Sequence, residues 1–240
     1  MFRARVRREI NYPYLLGVSR SVRVRVRAVA TRAQPPDPYL RGCDPGLGAV
    51  TARSTPVAFG HAAHISGRAT HPDGSPYARA RLIVRTFEFR SRLLERATGP
   101  DGRYRVRVPA GSNRNAVVSV PVPGTDASVC SRLKLRTRAG VRLRATRRVA
   151  PGGTVRFRGR VLGPRFPSAG KLVELQAFDG GRWRTFAQPR AEAPDGRFRS
   201  SYRLRRTSGP HTFRFRARVR VEPSWDYLLG TSPTARVRVG

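Results

Sequence analysis

The chain has 240 residues, 39% of them hydrophobic, and a formal net charge of +35 from 49 Lys and Arg against 14 Asp and Glu. Two cysteines are too few for a disulfide-dense miniprotein or a four-cysteine zinc site. No apolar run approaches the roughly 20 residues of a membrane-spanning helix, and the start, Met1–Arg5, has no apolar h-region of a signal peptide.

Residues 1–28 read as the tail of a repeat. Phe2–Arg7 recurs as Phe215–Arg220, Tyr14–Gly17 as Tyr227–Gly230, and Arg23–Val26 as Arg236–Val239. At a constant offset of 213, 16 of the 25 positions from Phe2 to Val26 are identical. Such self-similarity marks repeat architecture, so the chain is expected to be a piece of a longer tandem protein or the product of a late start. Residues 29–54 follow as a linker and lead-in. Gln34–Pro38 and Asp44–Gly48 carry its turn chemistry.

Residues 55–138 and 139–240 read as two copies of one fold. Val57–Gly60 and Gly67-Arg68 align with Val149–Gly152 and Gly159-Arg160 at an offset of 92, and Pro100–Arg103 aligns with Pro194–Arg197 at an offset of 94. The period is two. Phe213, Phe215, Ala217, Val219 and Val221 alternate with Arg214, Arg216, Arg218 and Arg220, and Val155, Phe157, Gly159 and Val161 alternate with Arg156, Arg158 and Arg160. This is the pattern of antiparallel sheets with one wet face. Pro-Asp-Gly precedes a strand twice, and Asp179–Gly181 separates two strands as a hairpin turn. About seven strands are predicted in the last unit, near 141–145, 154–162, 171–178, 182–188, 197–204, 212–220 and 234–239, which suggests a two-sheet sandwich. Ser91–Arg96 is the one segment that reads as a helical turn.

Arginine accounts for 47 of the 49 basic residues; Lys134 and Lys171 are the two lysines. Arginines two apart on a strand stand about 7 Å apart, which makes Arg156, Arg158, Arg160, Arg214, Arg216, Arg218 and Arg220 candidates for a polyanion-binding face. The competing reading is a solvated face in an Arg-rich composition, where long stems cover the sheet and charged heads stay wet. The spread of Arg over both units favours the second reading. So do the inward positions of Phe157, Phe198, Phe213 and Phe215, which leave no stacking platform for bases.

Cys43 and Cys130 flank the middle unit, and a disulfide between them would close a loop of nearly 90 residues. His61 and His64, with His71 nearby, are expected to be solvated strand residues rather than metal ligands, because a spacing of three puts His61 and His64 on opposite faces of a strand. No nucleophile elbow, zinc-protease motif or phosphate loop is present. Glu174 alternates with apolar neighbours and is expected to face outward. The segments Tyr12–Gly17 and Trp225–Gly230 offer Tyr12, Tyr14, Trp225 and Tyr227 for loop recognition of a sugar ring; the alternative is a loop that plugs one end of its own sandwich.

Gly153–Gly163, Gly170–Gln176, Gly181–Phe186, Asp195–Phe198 and Tyr202–Arg206 resemble repeats of large exported actinobacterial proteins. That resemblance covers about 138–240 and, in part, 2–27. His64–Arg68, Gly74–Ile83 and Asp101–Tyr104 resemble the carboxypeptidase-regulatory-like, transthyretin-like sandwich over about 55–122. The resemblance implies immunoglobulin-like modules that act as spacers or adhesive stalks at the cell surface, with no binding residue to carry over.

The expected fold is all-β: tandem immunoglobulin-like or transthyretin-like sandwiches behind a truncated repeat. The expected function is a non-catalytic structural or adhesive module of a secreted or cell-envelope protein, without cofactor or metal. Its expected partners are neighbouring repeats and, weakly, anionic wall polymers or lipid headgroups. Nucleic-acid binding is the alternative, and carbohydrate binding the third reading.

Overall fold

A computed structural model describes residues 40, 42–87, 91–163, 166–204, 209–222 and 225–240. The 1–28 repeat, with Tyr12 and Tyr14, lies outside these residues. The described chain is all-β, with no α-helix among the described residues and a 3-10 turn at Pro45–Leu47.

Alternation of β-branched or aromatic residues with arginine gives strands such as Arg103–Val108, Thr154–Leu162 and His211–Val219 one apolar face, and two such faces must close on each other. The first sandwich uses β1 (Ala49–Val50), β2 (Ala63–Thr70), β3 (Arg81–Phe87), β4 (Arg92–Ala97), β5 (Arg103–Val108), β6 (Arg114–Pro121) and β7 (Ser128–Leu135). One sheet runs β1-β2-β5 and the other β4-β3-β6-β7. Ile65, Leu82, Val84, Val106, Val118 and Val120 form the centre of the core between them. Two expectations are corrected here. Arg92–Ala97 is not helical but pairs with β3 as an edge strand. The lead-in also contributes a strand, since Ala49 and Val50 pair with Thr70 and Ala69.

The second sandwich uses β8 (Gly140–Ala145), β9 (Arg148–Val149), β10 (Thr154–Leu162), β11 (Lys171–Asp179), β12 (Arg182–Ala187), β13 (Arg190–Ala191), β14 (Arg197–Arg203), β15 (His211–Val219), β16 (Gly230–Thr231) and β17 (Ala235–Val239). One sheet runs β14-β10-β8. The other runs β12-β11-β15-β17-β9, with β13 on β11 and β16 on β15. Setting aside the two-residue strands β9, β13 and β16, both sandwiches have one topology. The first, second and fifth strands form one sheet; the fourth, third, sixth and seventh form the other. A parallel contact closes each: Val57 with Thr137 in the first, Val149 with Val239 in the second.

The aligned motifs occupy equivalent places. Arg68 Nε donates to the Asp101 carbonyl at 3.0 Å and Arg160 Nε to the Asp195 carbonyl at 2.6 Å. The Asp101 and Asp195 carboxylates accept from the backbone N–H groups of Arg103 and Arg197. Pro-Asp-Gly-Arg is therefore a strand-entry turn, held from the neighbouring strand by the arginine of the Gly-Arg pair.

Candidate functional site

The seven candidate arginines belong to two different sheets of the second sandwich, so their side chains stand on opposite outer faces. They do not form one surface.

On the larger sheet the arginines are engaged. Arg214 lies over the Phe178 ring at 3.8 Å, and Arg216 over Trp183 at 4.2 Å while its Nε donates to Gln176 Oε1 at 2.8 Å. Arg220 Nε pairs with Glu174 Oε1 at 2.6 Å, and Arg218 Nε stands 4.0 Å from Glu174 Oε2. Glu174 does project outward, but at 2% exposure it is buried beneath these arginines rather than solvated. Phe178 and Trp183 are aromatics on an outer face that the inward-facing phenylalanines did not reveal. The hairpin register shows it: Phe178 pairs with Trp183 across Asp179–Gly181.

On the smaller sheet the register stacks arginine on arginine. Arg142, Arg160 and Arg197 form one row across β8, β10 and β14; Arg144, Arg158 and Arg199 form the next. Arg156 and Arg203 flank them, and all eight are exposed. Arg197 pairs with Asp195 at 2.7 Å, Arg160 bonds the Asp195 carbonyl, and Arg203 Nε donates to the Gly152 carbonyl at 3.3 Å. Arg142, Arg144, Arg156, Arg158 and Arg199 form no ion pair among the described residues.

Trp225 and Tyr227 are 3% and 4% exposed, so neither ring is available to a sugar. This corrects the loop-recognition reading for these two residues. Trp225 packs edge-on against Phe166 at 5.1 Å, and Tyr227 meets Phe59 of the first sandwich at 5.8 Å. The loop does more than plug its own sandwich, because it joins the two. Leu228 N donates to the Thr137 carbonyl at 2.7 Å, Ala139 N to the Leu228 carbonyl at 3.0 Å, and Asn113 N to the Asp226 carbonyl at 2.8 Å. Asn113 Oδ1 in turn accepts from Thr137 N at 2.7 Å. Gly230 permits the approach: a Cβ there would overlap the Ala139 carbonyl oxygen.

Cys43 and Cys130 are joined by a disulfide that spans 87 residues of sequence. It ties the lead-in to β7, beside the hydrogen bonds that Asp44 and Ser128 N make across the same junction. His61 and His64 are exposed, and no cluster of three metal-ligating side chains occurs among the described residues. A groove of about 530 Å³ opens between the sheets of the second sandwich beside Phe186, Tyr202, His211 and Phe213. Its charged pair, Asp179 and Arg184, is closed on itself at 3.3 Å.

No family model matches the sequence, and no curated protein matches it. Among solved structures, the chain is similar to the native conformation of Escherichia coli alpha-2-macroglobulin at 10% identity and a TM-score of 0.35, covering 83% of this chain and 17% of that one. It is similar to the D0–D1 domain of intimin at 15% identity and a TM-score of 0.30, covering 78% of this chain and 98% of that one. A BSP domain of a biofilm-associated protein shows 12% identity and a TM-score of 0.30 over 82% of this chain and 30% of that one. Likeness at this level carries no argument about activity. No helix among the described residues is long and apolar enough to cross a membrane.

Proposed function

We propose that the chain is a non-catalytic structural module of a secreted or cell-envelope protein, in which consecutive sandwiches act as rigid spacer units. One observation carries the reading. The Asp226–Leu228 loop of the second sandwich continues backbone hydrogen bonding onto Asn113, Thr137 and Ala139, and Tyr227 packs against Phe59. A flexible tether between independent domains has no such ladder, and few contacts cross an ordinary domain boundary. The Cys43–Cys130 bridge supports an oxidising compartment, since disulfides are rare in reducing cytosol.

Residual dipolar couplings of the full chain test the rigidity. Both sandwiches are expected to report one alignment tensor. Two unequal tensors would mean independent tumbling and would end the spacer reading. Alkylation of intact source cells, followed by fractionation, tests the compartment. A bridged Cys43–Cys130 in the envelope or medium is expected; alkylated thiols in the cytosolic fraction would contradict it.

A further inference from the structure

The rows Arg142–Arg160–Arg197 and Arg144–Arg158–Arg199 place like charges directly opposite one another on neighbouring strands, an arrangement that destabilises a sheet. The fold does not demand it. In the topologically equivalent sheet of the first sandwich, His64 and Ser66 stand where the second has Arg156 and Arg158, and they pair there with Arg107 and Arg105. The first sandwich keeps one opposed pair, Arg68 with Arg103, so the scaffold does not require the full lattice. The carboxylate that neutralises arginines on the opposite sheet, Glu174, has no counterpart here: Asp195 serves one corner and five arginines are left unpaired among the described residues. Strand spacing sets the heads about 5 Å apart across the sheet and about 7 Å apart along it. Each guanidinium presents a planar fork that matches phosphate or carboxylate bidentately.

We propose that the outer face of the sheet β14-β10-β8 binds a linear polymer of phosphate groups that carries no bases, and that this polymer supplies the negative charge the fold omits. The inference goes beyond the spacer reading and does not depend on the joint. The absence of bases follows from the face itself. The aromatic residues of these strands, Phe157, Phe198 and Tyr202, all lie on the inner side of the sheet. Phe157 and Phe198 are buried, and Tyr202, opposite inward Val155, packs on Phe186 at the groove between the sheets, so no aromatic stands among the arginines for a base to stack on. The disulfide points the same way, toward compartments outside the cytosol.

The test uses the full chain and inorganic polyphosphate as probe, with fluorescence anisotropy over a salt series. Three proteins are compared: the natural chain, R144Q/R158Q/R199Q on the proposed face, and R214Q/R236Q/R238Q on the opposite sheet. Both variants lose three charges, so attraction by net charge alone weakens equally in both. The proposed face predicts at least a tenfold loss in the first variant and less than a threefold loss in the second. In the first variant the slope of log affinity against log salt should also fall by about 2, because three arginines no longer neutralise phosphates of a flexible polyanion. Equal losses in the two variants would overturn the site. Tighter, face-dependent binding of single-stranded DNA or of phosphatidylglycerol vesicles than of polyphosphate would overturn the assigned partner. The first variant should melt no lower than the natural chain, because it relieves like-charge neighbours. A lower melting point would show that the lattice is structural and would also overturn the proposal.

Discussion

Two residues show how closely the second sandwich is fitted. At Gly159 a Cβ would overlap the Phe198 ring and meet the Arg142 carbonyl oxygen at 2.6 Å. Gly159→Ala is expected to cost about 1–3 kcal/mol, the usual range for overpacking, read from urea denaturation. A neutral result would show that the two strands part freely at this point. Lys171 is wholly buried at the start of β11, with Nζ 3.0 Å from Glu222 Oε2. Burial pushes its ammonium group below the ordinary lysine value, and Glu222 partly offsets this. The unfolded lysine keeps its proton to about pH 10.4, so between the lowered folded value and that pH the unfolded state binds more protons. Stability contributed at this site therefore rises with pH across that window and is complete above it. Lys171→Met should be at least as stable as the natural chain at pH 7. The difference between the two proteins should then shift in favour of the natural chain as the pH is raised toward about 10.4 and level off above it. Parallel stability profiles would refute this account.

At the scale of elements, the disulfide belongs to the first sandwich. It pins the lead-in, which carries β1, to β7. In the chain-entropy treatment a closed loop of this length contributes about 4–5 kcal/mol. Reduction, or Cys43→Ser with Cys130→Ser, should raise hydrogen exchange most through residues 49–135 and less through residues 140–239, which feel the loss only through the joint. Equal exposure of both sandwiches would show that the bridge stabilises the pair as a whole. The strands of the second sandwich were legible because period-two alternation and Pro-Asp-Gly turns are local signals. The observed β10, Thr154–Leu162, and β15, His211–Val219, fall on the predicted segments within a residue. Ser91–Arg96 misled because Leu93, Leu94 and the charges around them lack alternation. Only pairing with β3 makes this segment a strand, and that pairing is not written locally. The arginine rows were hidden for a similar reason. Alternation tells which residues face outward, but only the cross-strand register brings Arg144, Arg158 and Arg199 side by side. Nor does alternation show that Glu174 is covered by Arg218 and Arg220, since that needs β11 and β15 as neighbours.

For the described part as a whole, the decisive feature is that the Trp225–Gly230 loop both packs in the second core and carries the joint to the first sandwich. Trp225 and Tyr227 count among the buried residues of the second sandwich, yet Phe59 of the first packs against the same cluster. Truncating Tyr227 therefore leaves a cavity in one core and removes the apolar half of the joint. Aromatic truncations in cores cost about 3–5 kcal/mol, and the backbone bonds from Leu228 to Thr137 and Ala139 lose the packing that shields them. The natural chain should unfold in calorimetry as a single transition, because neither sandwich can open its end without exposing the shared cluster. Tyr227→Ala should split it, with the second sandwich melting first and the first, held by its disulfide, melting later. Leu143→Ala provides the control. It trims a partly buried side chain that packs on the same core but lies on β8 and outside the hydrogen bonds of the joint. It should lower the transition without dividing it. If Leu143→Ala splits the transition as Tyr227→Ala does, the two sandwiches were never coupled through the loop. If Tyr227→Ala leaves one transition, the backbone ladder alone holds the units together.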